Sequence, residues 1–119
     1  MPSITVPMPY IPDLTANHAY MNTRNGRILK PVVKAWRRIC ELALKVELNQ
    51  RPIWPPLRIR IDWQGPMEPD QDNRCKVVWD AIQMTTGIND RHYVVVPGGF
   101  ERRKASEANI AITIEWGEE

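Results

Sequence analysis

The sequence predicts an α+β fold in two layers, with two helices packed on a mixed sheet of about four strands in the order β-α-β-α-β-β. Two patterns and one residue type carry that expectation. Apolar residues alternate strictly along Leu57–Trp63 and Asn109–Trp116, which is the period of a half-buried strand. They recur every three to four residues from Val32 to Val46 and from Cys75 to Ile82, the period of an amphipathic helix. Eleven prolines then divide the chain, because the two long helical patterns fall in gaps between them and an interior proline costs a helix about 3 kcal/mol.

In chain order, Ile4, Val6 and Met8 alternate through a first strand over Ser3–Met8, closed by Pro9 and Pro12. Residues 13–30 are polar, with Asn25-Gly26 as a turn signal. Pro31 suits the first turn of a helix running to about Leu48, with Val32, Val33, Trp36, Ile39, Cys40, Ala43 and Val46 as its apolar stripe. Pro52, Pro55 and Pro56 stop it, and the Leu57–Trp63 strand follows. Cys75, Val78, Trp79 and Ile82 mark the second helix, with Asp72 as its expected N-cap, Gly87 at its end and Val77 pointing away from the buried stripe. Tyr93–Val96 is a short β-prone run ended by Pro97-Gly98-Gly99, and Asn109–Trp116 is the last strand. Trp36, Trp63, Trp79 and Trp116 sit on apolar faces and are expected in the core, whereas Trp54, between prolines, is expected at the surface, facing a partner subunit or DNA.

The 119 residues make one domain, 1–119, of ordinary globular composition, 43% hydrophobic and 25% charged. No apolar run approaches the ~18 residues of a membrane span. The N-terminal MPSITVPMPY is too short and too proline-broken for a signal peptide, so a cytoplasmic protein is expected. Cys40 and Cys75 cannot build a disulfide framework, and neither lies in a CxxC pair. The net charge of +2 is a cancellation: residues 1–60 hold ten Lys/Arg against three acids, and residues 61–119 hold six against eleven. Such asymmetry suggests a polyanionic partner, with acids needed elsewhere.

The densest polar segment is Asp70-Gln71-Asp72-Asn73-Arg74-Cys75-Lys76, followed by Asp80 and by Asn89-Asp90. Two carboxylates two residues apart, joined by a third, suit a hard cation such as Mg²⁺. The bland alternative is a capped helix in which Lys76 forms a routine i,i+4 pair with Asp72 or Asp80. A calcium-binding EF-hand is excluded, because its sixth position is Cys75 rather than glycine and its twelfth is Ala81 rather than glutamate. Six cations lie within fifteen acid-free residues (Arg24, Arg27, Lys30, Lys34, Arg37, Arg38), and Arg102-Arg103-Lys104 form a second group, expected in a hairpin between the last two strands. They read either as solvated faces or as a surface that tracks phosphates.

The pattern D-x-D-N-x-x-K-x-x-x-D-A-I formed by Asp70, Asp72, Asn73, Lys76, Asp80, Ala81 and Ile82, followed by Gly87 and Asp90, resembles the RusA-type Holliday junction resolvases, small endonucleases of bacteria and prophages. The opening Ile-Thr-Val-Pro-Met-Pro and the two alternating strands extend the resemblance over most of the chain. It implies a homodimer that binds four-way DNA junctions and nicks two opposing strands symmetrically in a Mg²⁺-dependent reaction (Mn²⁺ as a substitute), in recombination and repair, with no organic cofactor. By position, the resemblance makes Asp70, Asp72, Asp90 and Lys76 the catalytic set, the three aspartates holding metal and Lys76 facing the phosphate. The same resemblance favours Arg24, Arg27, Lys30, Lys34, Arg37, Arg38, Arg102, Arg103 and Lys104 as the DNA-binding surface. Asn89 departs from the family's frequent adjacent aspartates, which leaves open a branched-DNA-binding phage protein with altered or lost activity. His18 and His92 are candidate general bases, although a lone histidine is more often structural.

Overall fold

The computed structural model describes residues 2–14, 19–68 and 75–117. Its strands are β1 (Ser3–Pro9), β2 (Tyr20–Thr23), β3 (Gly26–Leu29), β4 (Leu57–Gly65), β5 (Tyr93–Val96), β6 (Phe100–Arg102) and β7 (Asn109–Trp116), and its helices are α1 (Pro31–Leu48) and α2 (Lys76–Thr86). The two-helix, mixed-sheet α+β architecture holds, with one more strand in the main sheet than expected and a separate β2–β3 hairpin. No helix among the described residues is long and apolar enough to cross a membrane.

The main sheet runs β1-β7-β4-β5, with β6 also paired to β4. β7 is antiparallel to β1 (Ser3 opposite Glu115) and to β4 (Leu57 opposite Trp116). β5 and β6 lie end to end along the other edge of β4, both parallel to it, from Leu57 opposite Tyr93 to Gly65 opposite Arg102. The expected hairpin between the last two strands is therefore corrected. β5 and β7 are not neighbours, because β4 stands between them, and Arg102-Arg103-Lys104 lie in β6 and the link that follows it.

Period-two alternation delivers the core. Ile4, Val6 and Met8 of β1, Leu57, Ile59, Ile61 and Trp63 of β4, and Ile110, Ile112, Ile114 and Trp116 of β7 are all buried. Each such aliphatic side chain contributes about 1.5–3 kcal/mol of transfer free energy. The alternate positions are more exposed, and there the Thr5 and Thr113 hydroxyls meet across the strands at 3.2 Å.

α1 carries Pro31 in its first turn and ends at Asn49, which is left-handed (φ 43°). Its buried side is Val33, Trp36, Cys40, Leu44 and Leu48, whereas Val32, Ile39, Leu42 and Val46 are exposed. The predicted stripe therefore mixed two faces, because this helix is apolar on both. α2 starts at Lys76 with Cys75 in the cap position, whereas the expected N-cap, Asp72, lies outside the described residues. The expected i,i+4 pair of Asp72 with Lys76 therefore has one half outside the described residues as well. Val77, expected to point outward, is 2% exposed and packs in the core with Val78, Ala81 and Ile82. The short helix is held on two adjoining sides rather than along one stripe. Among the tryptophans, Trp36, Trp63 and Trp116 are buried and Trp54 is exposed, as expected, whereas Trp79, expected in the core, is half-buried and packs against it.

Candidate functional site

The placement of α2 follows from the strand register. Pro9, at the end of β1, lies opposite Asn109, and Asn109 lies opposite Gln64, so β1 and β4 finish at the same end of the sheet. Leu14 follows β1, and its carbonyl accepts the Cys75 thiol at 3.9 Å. The start of α2, and with it the exposed Lys76, therefore sits where β4 ends. Asp70 and Asp72 lie outside the described residues, as does His18; sequence connectivity ties the two aspartates to the link between β4 and α2.

Asp90 is elsewhere. It opens a single 3-10 turn, Asp90–His92, that feeds β5, and Tyr93 of β5 pairs with Leu57, the first residue of β4. The nine residues of β4 cover about 26 Å at strand rise. The eleven residues of α2 cover about 16 Å between Lys76 and the segment that leads to Asp90. The described chain thus places Lys76 and Asp90 at opposite ends of the central strand. Among the described residues, no three of His, Cys, Asp and Glu gather where they could hold a metal ion.

The Asp90 turn is firmly built. The Asn89 side-chain oxygen accepts the Arg91 backbone N–H at 3.0 Å, and the Tyr93 hydroxyl donates to the Ile88 carbonyl at 2.7 Å. Burial pushes the Tyr93 phenol up to about 12, so it stays a donor throughout the neutral range. Asn89, the departure noted in the sequence, thus has a capping role that an aspartate oxygen would fill equally. Asp90 itself is exposed, and its carboxylate has no ion-pair partner among the described residues, leaving it available as a hard oxygen donor of the kind Mg²⁺ takes. His92 is also exposed, its Nε2 accepting from Arg91 Nε at 3.2 Å. The thiols offer no alternative chemistry: burial pushes Cys40 up to about 12 and Cys75 up to about 11, so both remain protonated.

The basic residues gather mostly on the Lys76 end. Arg24 lies in the two-residue turn of the β2–β3 hairpin, and Arg27 stacks over Tyr20 at 4.7 Å. Lys30 pairs with Asp13 at 3.1 Å, beyond the end of β1. Arg37 is 3.7 Å from Glu41, while Lys34 and Arg38 are exposed. Arg103 donates its backbone N–H to Gly65 O and pairs with Glu101 at 2.8 Å, and Arg102 donates to Pro66 O at 2.9 Å, so this cluster is fastened to the end of β4. Lys104 is exposed. The Lys30–Asp13 and Arg37–Glu41 pairs are half-buried, whereas the Arg103–Glu101 pair is exposed and worth at most about 1 kcal/mol. Two further basic residues outside the two runs, Lys45 and Arg51, line one cleft at the end of α1, on the Asp90 side.

A lysine at a helix start, an available carboxylate and the arginines and lysines around the end of β4 suit the handling of phosphodiesters. The family model described as endodeoxyribonuclease RusA matches residues 9–115, and the chain belongs to that family. Membership bears out the resemblance read from the D-x-D-N segment. It also establishes the coarse function, an endodeoxyribonuclease of the Holliday-junction-resolving kind. No curated protein matches the chain.

Proposed function

We propose that the protein is a Mg²⁺-dependent endonuclease that cuts four-way junctions by paired symmetric nicks, in cytoplasmic recombination and repair, as a homodimer whose metal sites each draw on both copies. The supporting observation is the separation of Lys76 and Asp90 by the length of β4. Ligands of one ion must converge within a few ångströms. An Asp90 that lies a strand's length from the β4–α2 link meets Asp70 and Asp72 only if it comes from another copy. A two-fold axis across the β5 edge reverses the strands and brings the Asp90 end of one subunit to the Lys76 end of the other.

In each such site Asp70, Asp72 and the second copy's Asp90 would hold Mg²⁺, with Mn²⁺ as a substitute. The bound ion supplies activation of a water and neutralisation of charge on the phosphate oxygens. Lys76 places a point charge beside the scissile phosphate, where charge grows as the phosphodiester is attacked. Arg24, Arg27, Lys30, Lys34, Arg37, Arg38, Arg102, Arg103 and Lys104 hold the flanking backbone against the repulsion of the carboxylates. Two sites related by the axis account for two symmetric cuts.

The test is a synthetic mobile junction incubated with Mg²⁺, with cuts mapped on all four strands. Paired cuts on opposing strands, lost with a chelator and restored by Mg²⁺ or Mn²⁺, are expected. Equal cutting of flaps or linear duplex, or cutting that survives chelation, would contradict the proposal.

A further inference from the structure

The geometry points to a second DNA contact, a phosphate-binding cleft formed by Lys45 and Arg51 at the Asp90 end of the molecule. It rests on the reading of the chain as a junction nuclease and extends the DNA-binding surface beyond the basic residues that the sequence singles out. The cleft measures about 450 Å³ and lies between the C-terminal turns of α1 and α2. Lys45, Asn49, Gln50, Arg51, Thr85 and Thr86 supply its polar lining, and no carboxylate is among the residues that line it. Leu48 and Ile53 form an apolar floor suited to a deoxyribose.

The two cations are brought together by an unusual chain reversal. Asn49 (φ 43°) and Gln50 (φ 61°) are consecutive left-handed residues that both carry a Cβ, a sparsely populated conformation that clusters at functional sites. The reversal is closed by the Arg51 backbone N–H donating to Leu48 O at 2.7 Å. Arg51 is then laid over the Trp116 ring at 5.1 Å, and Trp116 is itself fixed by its indole N–H on Pro52 O at 3.0 Å. The guanidinium is thus held in place before any ligand arrives. Neither Lys45 nor Arg51 has a carboxylate partner among the described residues.

Helix C-termini by themselves repel anions. Here much of that potential is already answered. The Asn49 and Gly87 N–H groups cap Lys45 O and Gln83 O, and the Thr85 and Thr86 hydroxyls donate to Ala81 O and Ile82 O at 2.8 Å each. Two full positive charges then outweigh the residual carbonyl dipoles. Thr86 lies four residues before Asp90, so a strand bound at Asp90 would carry its neighbouring phosphates past the cleft.

The test uses the full-length protein and a synthetic four-way junction in chelator, with affinity measured across a series of NaCl concentrations. Lys45→Gln and Arg51→Gln should each weaken binding about 3- to 10-fold near 100 mM salt and flatten the log affinity–log salt slope by about one. Lys45 is exposed at the end of α1, so its variant keeps the test clear of any folding effect from removing Arg51 off Trp116. In parallel, inorganic phosphate is titrated while the Lys45 and Arg51 side-chain NMR signals are followed in the wild type. Unchanged slopes in both variants overturn the proposal. Phosphate-induced shifts with unchanged slopes would mean that the cleft takes a small phosphate compound instead of DNA. If the wild type binds no junction at all, the junction-nuclease reading fails, and with it the DNA contact, whatever the phosphate titration shows.

Discussion

The two ends of β4 differ in what they carry. Where β4 finishes lie Lys76, the β2–β3 hairpin, the first half of α1 and the Arg102–Lys104 cluster, where cations mix with Asp13, Glu101 and Glu107. Where β4 begins lie Asp90 in its capped turn and the Lys45–Arg51 cleft. β4 is paired on both edges and buried along one face, so it cannot shorten to bring these ends together. Under the proposed function, site residues held apart by β4 converge only across two copies that run in opposite directions, and such a pair would hold two sites for two cuts.

The largest effect expected is at the carboxylates. Asp72→Asn and Asp90→Asn should each lower the cleavage rate on the order of 10³-fold. Junction affinity in gel shifts with chelator should stay the same or tighten, because each change removes a negative charge facing phosphate. Either variant cutting at near the wild-type rate would remove its end of β4 from the chemistry.

The next effect concerns the seam that keeps the two ends in register. Asp62 accepts the Gly99 N–H at 2.8 Å and pairs with Arg60 at 3.0 Å, and the Trp63 N–H donates to Gly99 O at 2.9 Å, which locks the β5–β6 junction to β4. A Cβ on Gly98 would run into the Ile61 carbonyl oxygen, which is backbone and cannot swing aside. Gly98→Ala should therefore cost about 2–4 kcal/mol in denaturant melts. An unchanged midpoint would show that the seam yields.

A smaller pair of changes sharpens the account of the Asp90 turn. Asn89→Ala should cost about 1 kcal/mol, and Asn89→Asp should stay within about 0.5 kcal/mol of wild type, since either oxygen can accept the Arg91 N–H. Equal losses in both would mean that the amide group itself is required.

The smallest effect belongs to the two buried thiols. Cys75 at about 11 and Cys40 at about 12 lie above the ordinary thiol value of 9.0 because they are buried. A raised folded-state value contributes stability that is complete below pH 9 and lost as pH climbs through 11–12. Unfolding midpoints should show no thiol contribution between pH 7 and 8.5 and fall above about pH 9, with both native thiols inert to a disulfide reagent near pH 8. A rapidly modified native thiol would contradict their burial.

Much of this fold is legible in the sequence because β4 and β7 each bury one face, and strict alternation has a single reading. α1 was harder: Val33, Trp36 and Cys40 share their helix with Val32, Ile39 and Val46, and periodicity cannot say which apolar side meets the sheet. The β2–β3 hairpin escaped because Tyr20–Thr23 and Gly26–Leu29 pair only with each other and bury little, leaving Asn25-Gly26 as their one signal. β6 is three residues long and takes its place from the Gly98–Gly99 approach to β4, a tertiary fact. At the site, residue types and spacing pointed to the acids and the lysine, but which end of β4 each occupies depends on the parallel pairing of β5, which no local pattern encodes. No local pattern links Lys45 to Arg51 either, since two left-handed residues in succession are not expected of Asn49-Gln50.

The central claim, that each metal site draws on two copies, is tested most directly by subunit complementation. Asp72→Asn and Asp90→Asn chains bearing different tags would be coexpressed, and the mixed dimer isolated and assayed on a four-way junction with Mg²⁺. A shared site predicts that the mixed dimer regains one intact site and nicks at about half the wild-type rate, although each parent is inactive. A mixed dimer as inactive as its parents would show that Asp72 and Asp90 must come from the same chain, and would contradict the account.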